Sequence, residues 1–341
     1  MLSRLRNVMR PASFHGHGRR PPFFEGWYLK LIDRDQSRPV AIIPGVYFAT
    51  DPAQSHAFVQ VFDGARQRAW LARYPADEFW AHDRDCEARI GPNRLHLGET
   101  EGSIALDIEL PDLRLQGEVT MHGLSEWPVR WWSPGVMGPF GWIPILECYH
   151  GVIGFDHALG GGLSLDDESI DFGGGRGYVE KDWGMSFPSS WIWCQSNHFG
   201  GPEEDPAKVC LSASIAEIPN LGRTFVGFIV GLWIDGTLYP FTTHHLARVE
   251  ELACTEDHVR WVLRNRHHRL ELDIRRAPPT VLPGPTIEGM VRDVHETLMA
   301  EVSVRLSERR GGREIYRGVG RRAGLEISGD IPHLARVAKG R

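Results

Sequence analysis

Between Gly177 and Trp183 the residues Tyr178, Glu180 and Asp182 alternate with Val179, Lys181 and Trp183. In an extended chain the period of two puts a phenol and two carboxyls on one face and Val179, Lys181 and Trp183 on the other. A carboxyl in an apolar pocket resists ionisation, and a neighbouring carboxyl resists it further. One of Glu180 and Asp182 is therefore suited to keep its proton and act as a general acid. After the Pro188-Ser189-Ser190 break, Trp191, Trp193, Gln195, Asn197 and Phe199 fall on one face of a second strand. Ile192, Cys194, Ser196 and His198 fall on the other. A strand exposed on one side alternates apolar with charged residues, and a buried one is aliphatic throughout. Mixed acid, amide and aromatic faces instead predict a lined cavity.

Two further acids sit among aromatics: Glu25 beside Trp27 and Tyr28, and Glu147 before Tyr149 and His150. Any one of these acids alone reads as well as a buried carboxylate satisfied by Arg, Lys or backbone donors. Rival chemistries lack their motifs. The pairs His15/His17, His244/His245 and His267/His268 have no metal-ligand spacing, which predicts loop or surface histidines and no bound metal. A Gly-x-Ser-x-Gly elbow is missing. The runs Gly160-Gly161-Gly162 and Gly173-Gly174-Gly175 lack the helix and Gly-Lys-Ser/Thr ending of a phosphate loop, so both are expected to be tight hairpin turns.

The elements that must hold these residues are strands almost throughout. From Phe23 onward short β-type runs bounded by Gly, Pro or Asp follow one another, with almost no helical periodicity. Their spacing suits antiparallel barrels or sandwiches. A length of 341 residues with 42% hydrophobic residues allows two domains. We place the joint near Pro188, giving domains 1–188 and 189–341, with a second candidate joint at 200–206. The first ten residues are expected to fray. The loop Trp127–Trp142, rich in Trp, Pro and Gly, is expected to plug one end of a barrel, the alternatives being a substrate gate or a membrane-touching lip. The net charge of -6, from 38 basic and 44 acidic residues, gives no footprint for nucleic acid. Five cysteines without a C-x-x-C pair predict reduced thiols in a cytoplasmic setting. No apolar core follows Arg4, Arg6 and Arg10, so neither a secretion signal nor a transit peptide is expected. No stretch reaches the ~20 apolar residues of a membrane helix.

Several blocks resemble those of the tocopherol cyclase family. They are Phe24-Glu25-Gly26-Trp27-Tyr28-x-Lys30, Gly135-Val136-Met137-Gly138-Pro139-Phe140 and Glu147-Cys148-Tyr149-His150-Gly151-Val152. Gly177-Tyr178-x-Glu180-Lys181-Asp182-Trp183-Gly184 and Trp191-x-Trp193-x-Gln195-Ser196-Asn197-His198-Phe199 continue the match, and the tail Gly318-Val319-Gly320-x-x-Ala323-Gly324-x-Glu326 closes it. More distantly, Tyr178-x-Glu180-x-Asp182-x-Gly184 is similar to the Tyr-x-Asp-x-Asn-x-Gly stretch of carotenoid hydratases. Their fold is a pair of lipocalin-like β-barrels, and their acid position is implicated in protonating an alkene. Glu180 stands in that place with Glu for Asp, and Asp182 replaces Asn.

The resemblance implies an all-β chain of two lipocalin-like antiparallel β-barrel domains in tandem. It also implies cofactor-free protonation of a prenyl double bond, followed by capture of the cation by a phenolic oxygen. Catalytic candidates are then Glu180, Asp182 and Tyr178, with Glu25 as a supporting acid. Substrate-binding candidates are Trp27, Tyr28, Glu147, His150, Trp183, Trp191, Trp193, Gln195, Asn197 and His198. The expected partner is a hydrophobic isoprenoid small molecule, with no obligate protein partner; peripheral contact with a membrane stays open. A hydratase, in which water captures the cation, and a non-catalytic lipid carrier are the alternative functions.

Overall fold

The computed structural model describes residues 7–200, 208–220 and 223–339. The candidate joint at 200–206 lies, apart from Gly200, outside them. The chain divides into two compact units, Met1–Phe187 with Leu282–Asp293, and Pro188–Val281 with Val294–Arg341. The segment Leu282–Asp293 thus lies with the first unit, which a single cut near Pro188 does not provide for.

The first unit contains β1 (Phe23–Ile32), β2 (Pro39–Phe48), β3 (His56–Asp63), β4 (Arg68–Pro75), β5 (Phe79–Ala81) and β6 (Cys86–Ile90). It continues with β7 (Asn93–Leu97), β8 (Glu101–Leu110), β9 (Leu113–His122), β10 (Cys148–Leu165), β11 (Glu168–Asp171) and β12 (Arg176–Gly184). Their ladder runs β4-β3-β2-β1-β12-β10-β9-β8-β7-β6-β5, with β11 paired to β10. The meander β1 to β4 spreads one way and β5 to β10 the other. Only β12 returns between them.

Burial follows position. Outer strands such as β7 alternate buried and exposed residues along their whole length, as expected of a sheet wetted on one face. In β1 nine of ten residues are buried, so both faces of the sheet's centre are covered. The run Gly160–Gly162 departs from expectation: it continues β10, paired with Thr120, Val119 and Glu118 of β9. Gly161 has a left-handed φ of 76° while the register with β9 runs on unbroken. Gly173–Gly175 does form a turn, between β11 and β12.

The second unit contains β13 (Ser190–Ser196), β14 (His198–Phe199), β15 (Val209–Asn220), β16 (Arg223–Ile234), β17 (Thr237–Thr242) and β18 (Arg248–Cys254). It adds β19 (His258–Arg264), β20 (His268–Arg275) and β23 (Glu314–Ser328), while β21 (Thr280–Thr286) and β22 (Gly289–Glu308) pass through the Leu282–Asp293 segment that lies with the first unit. The ladder order is β17-β16-β15-β13-β23-β22-β20-β19-β18, with β14 on β23 and β21 on β22. A C-terminal helix, Ile331–Ala338, is capped by Asp330, whose side chain accepts from the His333 N–H. It buries Ile331, Leu334 and Ala338 in this unit's core. Among the described residues no helix is long and apolar enough to cross a membrane.

Candidate active site

Because β12 is antiparallel to both of its neighbours, register decides what faces what. Tyr28 lies opposite Glu180 and Lys30 opposite Tyr178 in β1. His150 lies opposite Asp182 in β10. Alternation then gathers Tyr178, Glu180, Asp182, Tyr28, Lys30 and His150 on one face of the sheet. Glu25, Trp27, Tyr149, Lys181 and Trp183 lie on the other.

The first face carries a hydrogen-bonded chain. The Tyr178 hydroxyl donates to Glu180 Oε2, and His150 Nε2 lies 3.4 Å from the same oxygen. The other ring nitrogen, Nδ1, lies 3.0 Å from Asp182 Oδ1. The two carboxyls differ in access to water: the Glu180 side chain is 5% exposed and that of Asp182 27%. Among the described residues His150, Glu180 and Asp182 are also the group whose donor atoms, all within 4.8 Å of one another, come close enough to share a cation. The imidazole, however, turns one nitrogen to each carboxylate. A metal ion would have to displace one of these contacts, so the arrangement fits a proton-handling cluster better.

The second face is built around Lys181. Its Nζ donates to Glu25 Oε1 at 2.7 Å and to the Ser13 carbonyl at 2.5 Å, and it lies 2.9 Å from His15 Nδ1. Its ammonium sits 5.2 Å from the Trp27 ring centroid and 4.8 Å from that of Trp183. Glu25 also accepts from the His15 backbone N–H at 2.8 Å. Both charged side chains are fully buried. Burial pushes the Glu25 carboxyl up, but Lys181 and His15 outweigh it and hold the pKa below the ordinary carboxylate value. Burial pulls Lys181 below the ordinary lysine value against the opposition of Glu25. It also lowers His15 to about 4, with Lys181 adding to the fall.

This face bears on two expectations. Glu25, named above as a supporting acid, is ion-paired with Lys181 on the side of the sheet away from Glu180. His15 lies in a loop, as expected, but is no surface histidine: it is buried and stacks on Trp183 with ring centroids 4.2 Å apart. The N-terminal segment does not fray at Asn7 either, since the Asn7 side chain donates to the Phe14 carbonyl and its own carbonyl contacts His15 Nε2.

A cavity of about 660 Å³ opens beside this network, within the first unit. His15, Tyr149, His150 and Trp183 line one side and Val136 and Met137, from the Trp127–Trp142 loop, another. The loop covers the cavity with Pro134–Gly138 buried, while Trp131 and Trp132 stay 72% and 52% exposed. Glu147 is half-buried just before β10. Its carbonyl accepts from the Met185 N–H. A Cβ at Gly184 would stand 2.0 Å from that oxygen, so glycine permits the close approach that ends β12.

The remaining candidates belong to the second unit. Trp191, Trp193, Gln195, Asn197 and His198 are all buried. The Trp191 indole N–H donates to Glu326 at 2.7 Å, and His198 Nδ1 lies 2.9 Å from Asn197 Oδ1. The predicted alternation fails after Asn197. Phe199 packs in the apolar cluster with Ile192 and Cys194, the set it was expected to oppose. β23 has a left-handed residue nearby, Arg322, with φ 49°.

The fold and the site define a class. The family described as Tocopherol cyclase-like matches residues 125–329, more than half of the chain, and the chain belongs to it. Its two antiparallel sheets are lipocalin-like. The chain is 23% identical over 373 residues to "Probable tocopherol cyclase, chloroplastic" of Oryza sativa subsp. japonica, covering 93% of this chain and 78% of that protein. It is 26% identical over 181 residues to "Tocopherol cyclase, chloroplastic" of Zea mays, covering 50% of this chain and 36% of that protein. Among solved structures, CghA with Sch210972 superposes with a TM-score of 0.53 at 12% identity, covering 91% of this chain and 89% of that one. At that identity the likeness speaks for the fold alone.

Proposed function

We propose that the chain is an acid-catalysed isoprenoid cyclase, an isomerase of the intramolecular lyase kind, acting on a prenylated quinol or a close relative. The observation that carries this reading is the Tyr178–Glu180–His150–Asp182 chain on the central strand. Glu180, the carboxyl shielded from water, gives its proton to the prenyl double bond. The tertiary cation is then captured by the phenolic oxygen of the same substrate, which loses its proton as the ring closes. The substrate's own oxygen, held nearby, makes this step effectively unimolecular, and water must be kept out so that it does not trap the cation.

Electron-rich rings stabilise such a cation by about 2 kcal/mol or more when desolvated. Trp27 and Trp183 already face the Lys181 ammonium, so a second cation there would meet repulsion. Tyr28 and Tyr178, on the acid face, suit that task better. Glu147, just before β10 in the same unit, remains a candidate for substrate contact. The hydratase alternative uses the same first step.

The test is conversion of a prenylated hydroquinone by purified protein with a chelator present and no nucleotide. Glu180→Gln is expected to lower turnover by about 10² to 10⁴, the usual weight of a general acid, with its circular dichroism unchanged. If Glu180→Gln and Asp182→Asn both keep full turnover while folded, the protonation assignment is wrong. Oxygen from heavy-oxygen water in the product would favour the hydratase, and prenyl lipids that copurify and are never converted would favour a carrier.

A further inference from the structure

We infer that Asp182 is a positioning residue that fixes the tautomer of His150, and that His150 returns the spent proton to Glu180 after each turnover; the inference rests on the cyclase reading. Two carboxyls flank one imidazole, and the ring gives each a different nitrogen: Nδ1 at 3.0 Å to Asp182, Nε2 at 3.4 Å to Glu180. A carboxylate can only accept, so the Nδ1 atom facing Asp182 carries the hydrogen. The neutral ring then presents a bare Nε2 to Glu180. A carboxylate that orients a histidine in this way and leaves the far nitrogen as the working base is the logic of hydrolase triads. Here the third member is an acid to be recharged, not a nucleophile to be activated.

The protons balance without an outside donor. Glu180 gives one to the alkene carbon and becomes a carboxylate. Ring closure forms the carbon–oxygen bond and frees the phenolic proton, which His150 takes on Nε2. The imidazolium, with Asp182 opposite Nδ1, passes that proton to Glu180 Oε2. The ring returns to its Nδ1–H tautomer, and both carboxyls end as they began. His150 is placed for both halves of the transfer, because it lines the cavity and touches Glu180. Lys30, opposite Tyr178 in register, and Tyr28, opposite Glu180, are further polar groups of this face.

The experiment compares wild type, Asp182→Asn and His150→Gln in two measurements. In ¹⁵N spectra of histidine-labelled protein, wild-type His150 is expected as the Nδ1–H tautomer; Asp182→Asn, whose amide can donate to Nδ1, shifts it toward the Nε2–H form. In steady-state kinetics, Asp182→Asn is expected to lower kcat by about 10² or more with KM within about twofold, and His150→Gln to match or exceed that loss. An Nε2–H ring in wild type, or a tautomer unmoved by Asp182→Asn, overturns the inference. So does a kcat for Asp182→Asn equal to that of an active wild type, which leaves the cyclase reading standing. A wild type that converts no prenylated quinol or alkene overturns the cyclase reading itself, and the proton return with it.

Discussion

Replacing Glu25 by Gln separates a structural carboxylate from a catalytic one. The substitution keeps size, shape and an acceptor oxygen but removes the counter-charge of Lys181 Nζ, which is fully buried and otherwise meets the Ser13 carbonyl, the His15 ring and two indole faces. Breaking a buried pair on one side costs about 3 to 5 kcal/mol, because the remaining charge has lost its compensation. For a unit of this size each kcal/mol lowers Tm by about 2 to 4 °C, so a fall of about 10 °C is expected. Lys181→Met added to Glu25→Gln removes the stranded charge, and the double variant should recover a good part of the loss. Urea unfolding of the three variants measures this cycle. Limited proteolysis near Asn7–Arg20 should accelerate in Glu25→Gln, since the His15 N–H and Ser13 carbonyl both anchor on the pair. Below its lowered Tm, the single variant should turn over prenylated quinol at close to the wild-type rate. A Glu25→Gln protein within about 0.5 kcal/mol of wild type, the range of an ordinary surface change, would refute the buried pair. Lost turnover at full stability would return Glu25 to the acid's role.

Acid should destabilise the first unit well above the carboxylate range. Burial lowers His15 to about 4 and His157 to about 3 from the ordinary 6.5, so below pH 6.5 the unfolded chain binds protons that the folded chain refuses. Stability is full above that pH and falls on acidification, by about 1.4 kcal/mol per pH unit for each group. At pH 5 the two together should cost about 4 kcal/mol, and His157→Phe should remove about half of the slope in urea melts. Trp131→Ser with Trp132→Ser, at exposed positions, should leave Tm unchanged. If this lip meets lipid, turnover of quinol supplied in vesicles will fall while turnover of detergent-dispersed quinol holds; equal rates in both would assign the indoles no membrane role.

The alternation of β12 is readable because six consecutive residues obey a period of two, and the same holds for Glu25 and Trp27 against Tyr28 and Lys30. Which face of β1 joins which face of β12 is not readable. That depends on register, Tyr28 against Glu180, set by pairings far apart in sequence. Glu25 and Glu180 therefore look alike as letters and differ wholly in place. The N-terminal segment escaped for another reason: Asn7, Ser13 and His15 bind through side-chain-to-backbone contacts, which leave no periodic trace. The break between β13 and β14 at Asn197 likewise gives no warning in composition, and the predicted face of Phe199 was lost there.

The thickness of one backbone separates the proton-handling face of β12 from its ion-paired face. Loss or gain of a single residue between Gly177 and Gly184 would turn one face into the other, carrying Lys181 into the place of an acid and Glu180 among the indoles. Stability and chemistry would fail in the same event. This strand can change its letters during divergence or redesign but not its length, so new activities on this scaffold are better sought by substitution here and by insertion in loops such as Trp127–Trp142, where no register is at stake.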